Sequence, residues 1–151
     1  MLKKTILLLI LLFVSNCGYQ AIYEKKNDTN YFIKEVELEG DKRISKKITS
    51  QVNIEKSVTN KTPYILSIDT QKLIEIMAKD SLGNSSIYKI TIIAKISLIN
   101  ENKNKIKEKV FDKTFTFNTM DNKFDQLQYQ KNIEDNLIKK ISDELIIFLY
   151  Y

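Results

Sequence analysis

Cys17 is the one thiol in a 151-residue chain that contains no histidine. Without histidine there is no Ser-His or Cys-His nucleophile and no histidine-bearing metal site. Carboxylates are then the remaining groups for acid–base chemistry. The pairs Glu134-Asp135 and Asp143-Glu144 fall on what reads as the wet face of a helix, so the expectation is no enzyme, with no catalytic residue, no metal and no cofactor. Gly18, Gly40 and Gly83 lie far apart, which leaves no glycine-rich phosphate loop. The single thiol cannot close a disulfide within the chain. It is either a free structural cysteine or a group to be modified.

The residues around Cys17 favour modification. Lys3 and Lys4 precede an apolar run over residues 6–14. At ~1.5 Å per residue that run reaches about half of a ~30 Å hydrocarbon core, which suits the h-region of a signal peptide and not a membrane span. Val14-Ser15-Asn16-Cys17 then resembles a bacterial lipobox, in which the cysteine is acylated before cleavage on its N-terminal side. Ser15 fits, Val14 stands in for the usual Leu, and Asn16 departs from the usual Gly, Ala or Ser. Gly18 is not the Asp that would retain an enterobacterial-type lipoprotein at the inner membrane. The chain therefore divides into a signal peptide over residues 1–16, a lipidated tether over 17–31 and a domain over 32–151.

Composition bounds that domain. It is long enough to bury about two-thirds of its unfolded surface as one unit. The net charge of +5, part of which leaves with Lys3 and Lys4, is carried almost wholly by lysine, since Arg43 is the only arginine. Abundant Lys, Asn and Ile are what an AT-rich genome writes, and an exported protein rarely meets nucleic acid. The excess lysine reads as a solvated surface.

The elements follow from periodicity. Phe32, Val36 and Leu38 alternate with Ile33, Glu35 and Glu37 in a first strand, with Lys34 the exception on its apolar face. Gly40-Asp41 stops it. Asp41 can cap a helix to about residue 57, with Ile44, Ile48 and Val52 every four residues. Pro63 opens a second strand, where a missing N–H does least harm. Tyr64, Leu66, Ile68, Ile74, Ile76 and Ala78 share one face there, broken by Thr70 and Lys72. Turn residues over 79–85 lead to a third strand over 86–99 with Tyr88, Ile90, Ile92, Ala94, Ile96 and Leu98 on one side. A polar turn over 100–105 leads to a fourth strand over 106–118, with Phe111, Phe115 and Phe117 on one face. A helix over 121–149 carries the stripe Ile133, Leu137, Ile141 and Leu145.

The expected fold is α+β, a single four-stranded sheet with two helices on one face, in the order β-α-β-β-β-α. A helix between the first two strands lets them run parallel, and short turns make the rest an antiparallel meander. Two features exceed what a core needs. The second and third strands, at up to about 14 residues or ~45 Å, should extend past the helices. The chain also closes on an apolar run from Leu145 that circles the whole helix, suited to burial or to a partner.

This order resembles the LptE family of lipopolysaccharide-assembly lipoproteins. Cys17-Gly18-Tyr19-Gln20-Ala21-Ile22-Tyr23 is similar to the start of alphaproteobacterial members. Leu82-Gly83-Asn84 ahead of Ile87-Tyr88 is similar to the turn between the family's second and third strands. Lys109-Val110-Phe111 before an aromatic strand, and the long last helix, also match. The resemblance implies an outer-membrane lipoprotein, anchored on its periplasmic side by acyl chains on Cys17. It would plug the large β-barrel LptD, help it assemble, and bind lipopolysaccharide. It also implies that Lys79 is the nearest candidate for lipopolysaccharide contact, and that the hairpin tip at Leu82, Gly83 and Asn84 faces the barrel or the glycolipid. The turn lacks the Arg that some members carry. The alternatives are a lipoprotein subunit of another envelope transport or secretion system, and a periplasmic module that captures a small ligand.

Overall fold

The computed structural model describes residues 31–52, 54 and 62–150. Cys17, the signal peptide and the tether up to residue 30 lie outside the described residues. The order is β1 (Phe32–Gly40), α1 (Lys42–Gln51), β2 (Pro63–Lys79), β3 (Ser85–Asn100), β4 (Lys105–Asn118) and α2 (Lys123–Tyr150). The four strands form one mixed sheet in the order β1-β2-β3-β4, with β1 parallel to β2 and the other two pairings antiparallel. Tyr31, the last tether residue, packs edge-on to the Tyr64 ring at 5.4 Å.

Alternation builds the core. Leu66 and Ile68 of β2 and Ile90, Ile92, Ala94, Ile96 and Leu98 of β3 are all fully buried. They face Ile44 and Ile48 of α1, Val52 just after it, and Ile133, Leu137, Ile138, Ile141 and Leu145 of α2 in one continuous cluster. Each such side chain contributes about 1.5–3 kcal/mol by leaving water. Phe111 and Phe117 of β4 join this cluster, and Phe111 meets Phe148 edge-on at 6.0 Å. Phe115, on the same face, stays partly exposed. The apolar C-terminal run is mostly internal, with Phe148 and Leu149 buried and Ile147 exposed.

Two boundaries differ from the sequence reading, each for a local reason. In β1 it is Ile33, not Phe32, that reaches the core, because the register with β2 shifts between Ile33 and Glu35. The bulge leaves Lys34 unpaired and returns Val36 and Leu38 to the inner face, which accounts for the apparent exception at Lys34. The first helix ends at Gln51, about two turns before the expected residue 57; Val52 leaves helical geometry and donates its N–H to Thr49 O (3.3 Å). Its start is as expected, with Asp41 Oδ1 accepting from Arg43 N (3.0 Å) and Ile44 N (3.2 Å).

Candidate partner-binding surface

Thr70 and Lys72, which break the apolar run of β2, mark where the sheet changes character. Thr70 is buried: its hydroxyl donates to Asp41 O (2.8 Å) and lies 2.8 Å from Ser45 Oγ, while its carbonyl accepts from Asp41 N (2.8 Å). Gly40 packs here at φ +62, where an added Cβ would stand 2.1 Å from Thr70 O. These contacts close β1 onto β2 and turn the chain into α1.

Lys72, on the same face, reaches Glu134 of α2 (2.9 Å). The Glu134 carboxylate is buried, not on the wet face, and so corrects the sequence reading. Arg43 grips both of its oxygens (3.0 and 3.2 Å), and Lys47 lies 3.5 Å from Oε1 while bonding Asp135 at 2.6 Å. Burial pushes the Glu134 carboxyl up, but hydrogen bonds from Lys72 and Arg43 and their charges outweigh it and hold it below the usual carboxylate range. The same hydrogen bond raises Arg43, and the bond to Asp135 raises Lys47. The cluster ties α1, α2 and β2 together at one level. The helical spacing did carry the signal: Glu134 stands four residues before the fully buried Ile138 and seven before Ile141, inside the stripe of α2.

Beyond that level β1 no longer flanks β2, while β4 stays paired with β3 up to Ile87 and Asn118. The last partner of β1 is Gly40, opposite Thr70, so residues 71–79 of β2 pair only with β3. Their apolar side chains are exposed on both faces: Leu73 and Met77 at 37% and 54% on one, Ile74 and Ile76 at 45% and 53% on the other. Phe124 and Leu127, in the first turns of α2, are exposed as well. Single exposed apolar residues are ordinary, but a cluster of them on one end of a domain reads as a docking surface.

The tip closes this end. Asp80 organises it, with Oδ1 accepting from Leu82 N (2.9 Å) and Asn84 N (2.8 Å), Asp80 N donating to Asn84 O and Gly83 N donating to Asp80 O. The Asn84 backbone bond, with further help from its side chain and from Leu82 and Gly83, holds the Asp80 carboxyl below its ordinary range. Gly83 has a positive φ, +85, as a turn glycine can adopt, and an added Cβ would meet nothing within 4 Å. Leu82 is 85% exposed, and Lys79 is exposed at the base of the turn, opposite Ser85. The structure thus gathers Lys79, Leu82, Gly83 and Asn84 at the end of the hairpin, past the cover of the helices. Sequence reasoning missed the bare edge of β2; its signal was the mismatch between a nine-residue first strand and a much longer second one. Elsewhere, Phe115, Tyr129, Ile133 and Leu137 floor a groove of about 420 Å³ beside β4, rimmed by Lys139 and Lys140.

No protein-family model and no curated protein matches the sequence. Solved structures do. A minor lipoprotein from Acinetobacter baumannii superposes with a TM-score of 0.63 at 9% identity, over 80% of this chain and 91% of that one. Rare lipoprotein B from Shewanella oneidensis gives 0.55 at 7% identity, over 74% and 90%. A lipoprotein B from Nitrosomonas europaea gives 0.53 at 11% identity, over 82% and 90%. The chain shares its fold with bacterial lipoproteins. Identities this low carry the likeness of fold and nothing finer, but the match spans nearly the whole of each neighbour.

Proposed function

We propose that the protein is an outer-membrane lipoprotein of the LptE type, held by acyl chains on Cys17, that assembles with and plugs the lipopolysaccharide-transport barrel LptD without catalysing a reaction. The observation that carries this reading is the fold shared with the lipoproteins above, joined to a lipobox-like Cys17 at the head of the same chain. A plug needs a rigid body that presents polar surface to a wet lumen, and a free end that can meet the wall or the transported glycolipid. The ion-paired base and the bare hairpin tip answer those two needs. Two acyl chains already anchor stably, and a lipoprotein carries three.

A pull-down of the tagged full chain from detergent-solubilised envelopes tests this. A large outer-membrane β-barrel should co-purify, and Cys17→Ala should carry no acyl label. Recovery of a different transport or secretion complex, with no barrel, would overturn the reading. The groove beside Phe115 favours a second reading, a module that captures a small amphiphile. A ligand recovered from that groove, in a chain that brings down no barrel, would select it.

A further inference from the structure

We infer that the bare edge of β2 docks against the same edge of a second copy, as an antiparallel pair centred on Glu75. Residues 71–79 are an open edge strand about 30 Å long, the kind of template that captures another strand. Thr70 turns its carbonyl away from β3, toward Asp41. By the alternation of an antiparallel ladder, Lys72, Ile74 and Ile76 likewise turn N–H and C=O outward. Unsatisfied hydrogen-bonding groups and exposed apolar side chains therefore lie along the same line.

The chain's own N-terminal segment does not reach that line. It joins the domain at Tyr31, below the start of β1, and β1 spends its nine residues before β2 is bare. Returning along that distance would consume about 30 Å of the ~45 Å that residues 18–30 can span, leaving about four residues for a nine-residue edge.

A second copy fits by its side chains. With Glu75 on the twofold axis, Ile74 faces Ile76 of the second copy on one face of the sheet, and on the other Leu73 lies toward Met77, where the β2–β3 register is irregular. Centring on Ile74 or Ile76 instead sets Leu73 or Met77 against Glu75. Charge agrees at the ends. In the Glu75 register, Lys79 arrives opposite Gln71, diagonal to Asp69, which lies beside Glu39 in the β1–β2 ladder. The one unfavourable contact is Glu75 against Glu75, each already paired with its own Lys89 (2.8 Å). Such an interface is small, of the weak and transient class, and a common membrane tether raises its effective concentration. Self-pairing needs no barrel, so it stands or falls in membranes that lack one.

The test uses the lipidated full chain in phosphatidylcholine vesicles, where acylation blocks Cys17 and the unaltered chain is the control. Glu75 would form a non-hydrogen-bonded pair with Cα atoms about 4.5 Å apart, within reach of a disulfide. Oxidation of Glu75→Cys should give a covalent dimer. Leu73→Cys, exposed on the same face, should give none, because its copies would lie about 13 Å apart. Adding Ile76→Lys to Glu75→Cys should cut the dimer at least tenfold while the thermal melt stays cooperative. Equal crosslinking at Leu73→Cys and Glu75→Cys, no crosslinking at Glu75→Cys, or indifference to Ile76→Lys would each overturn the inference.

Discussion

At the base of the β2–β3 ladder Leu66, Ile68, Ile96 and Leu98 are sealed under helices, whereas toward its tip Ile74 and Ile76, on that same face, stand about half in water. One alternating pattern runs through both ends. Alternation decides which face a side chain takes, but the helices and the neighbouring strand decide whether that face is covered. The base is covered because β1 ends opposite Thr70 and turns there into α1, and because Glu134 draws Arg43, Lys47 and Lys72 together. Toward the tip the apolar residues of β2 have no such cover among the described residues.

Gly40 and Gly83, the positive-φ glycines among the described residues, make the contrast local. Gly40 has backbone and side-chain oxygens within 2.1 and 2.6 Å of where a Cβ would be; Gly83 has open space. Gly40→Ala should therefore be the most damaging change, combining left-handed strain with a backbone clash at about 3–4 kcal/mol. A fall in melting temperature of about 10 °C would register it. A change under about 1 kcal/mol would break the claim that the base is the rigid end.

Glu134→Gln comes next, at about 2 kcal/mol, because a buried carboxylate shared by three cations is replaced by a weaker acceptor. The pH dependence has a definite sign. The folded carboxyl sits below its unfolded value, so its stabilisation is complete above about pH 4.5 and is lost as the pH falls through the folded value. Urea titrations should show the native chain losing that increment in acid and Glu134→Gln lacking it. An identical acid response in both would separate Glu134 from the stability of the base.

Gly83→Val should have the smallest effect, about 1 kcal/mol of backbone strain with no clash. Native-state hydrogen exchange should show faster exchange at residues 80–84 with the β1, α1 and α2 amides unchanged. Spread of the effect into α2 would mean that tip and base are one unit.

Much of this was legible from residue spacing. The element order, the parallel first pair, the Asp41 cap, the stripe of α2 and the positive φ at Gly83 all follow from periodicity and turn chemistry. What escaped depends on contacts between distant segments. Lys34 looked like an error in an apolar face because a bulge changes parity without changing composition. Thr70 and Lys72 looked like interruptions because Ser45 and Glu134, 25 and 62 residues away, satisfy them. Glu134 looked wet because of its charge, although it stands on the stripe four residues before Ile138; the cations that let it be buried there come from other elements. The candidate surface was half visible: the long hairpin and its turn could be read, but the bare edge depends on where β1 ends against β2.

Photo-crosslinkers at Leu82 and Asn84 in whole cells test the central claim, that the tip is the end that meets a partner. They should capture a large outer-membrane β-barrel protein or its glycolipid, and positions on the exposed face of α2, such as Lys139 and Lys140, should not. Silence at the tip, with capture of an unrelated envelope protein along α2, would contradict it.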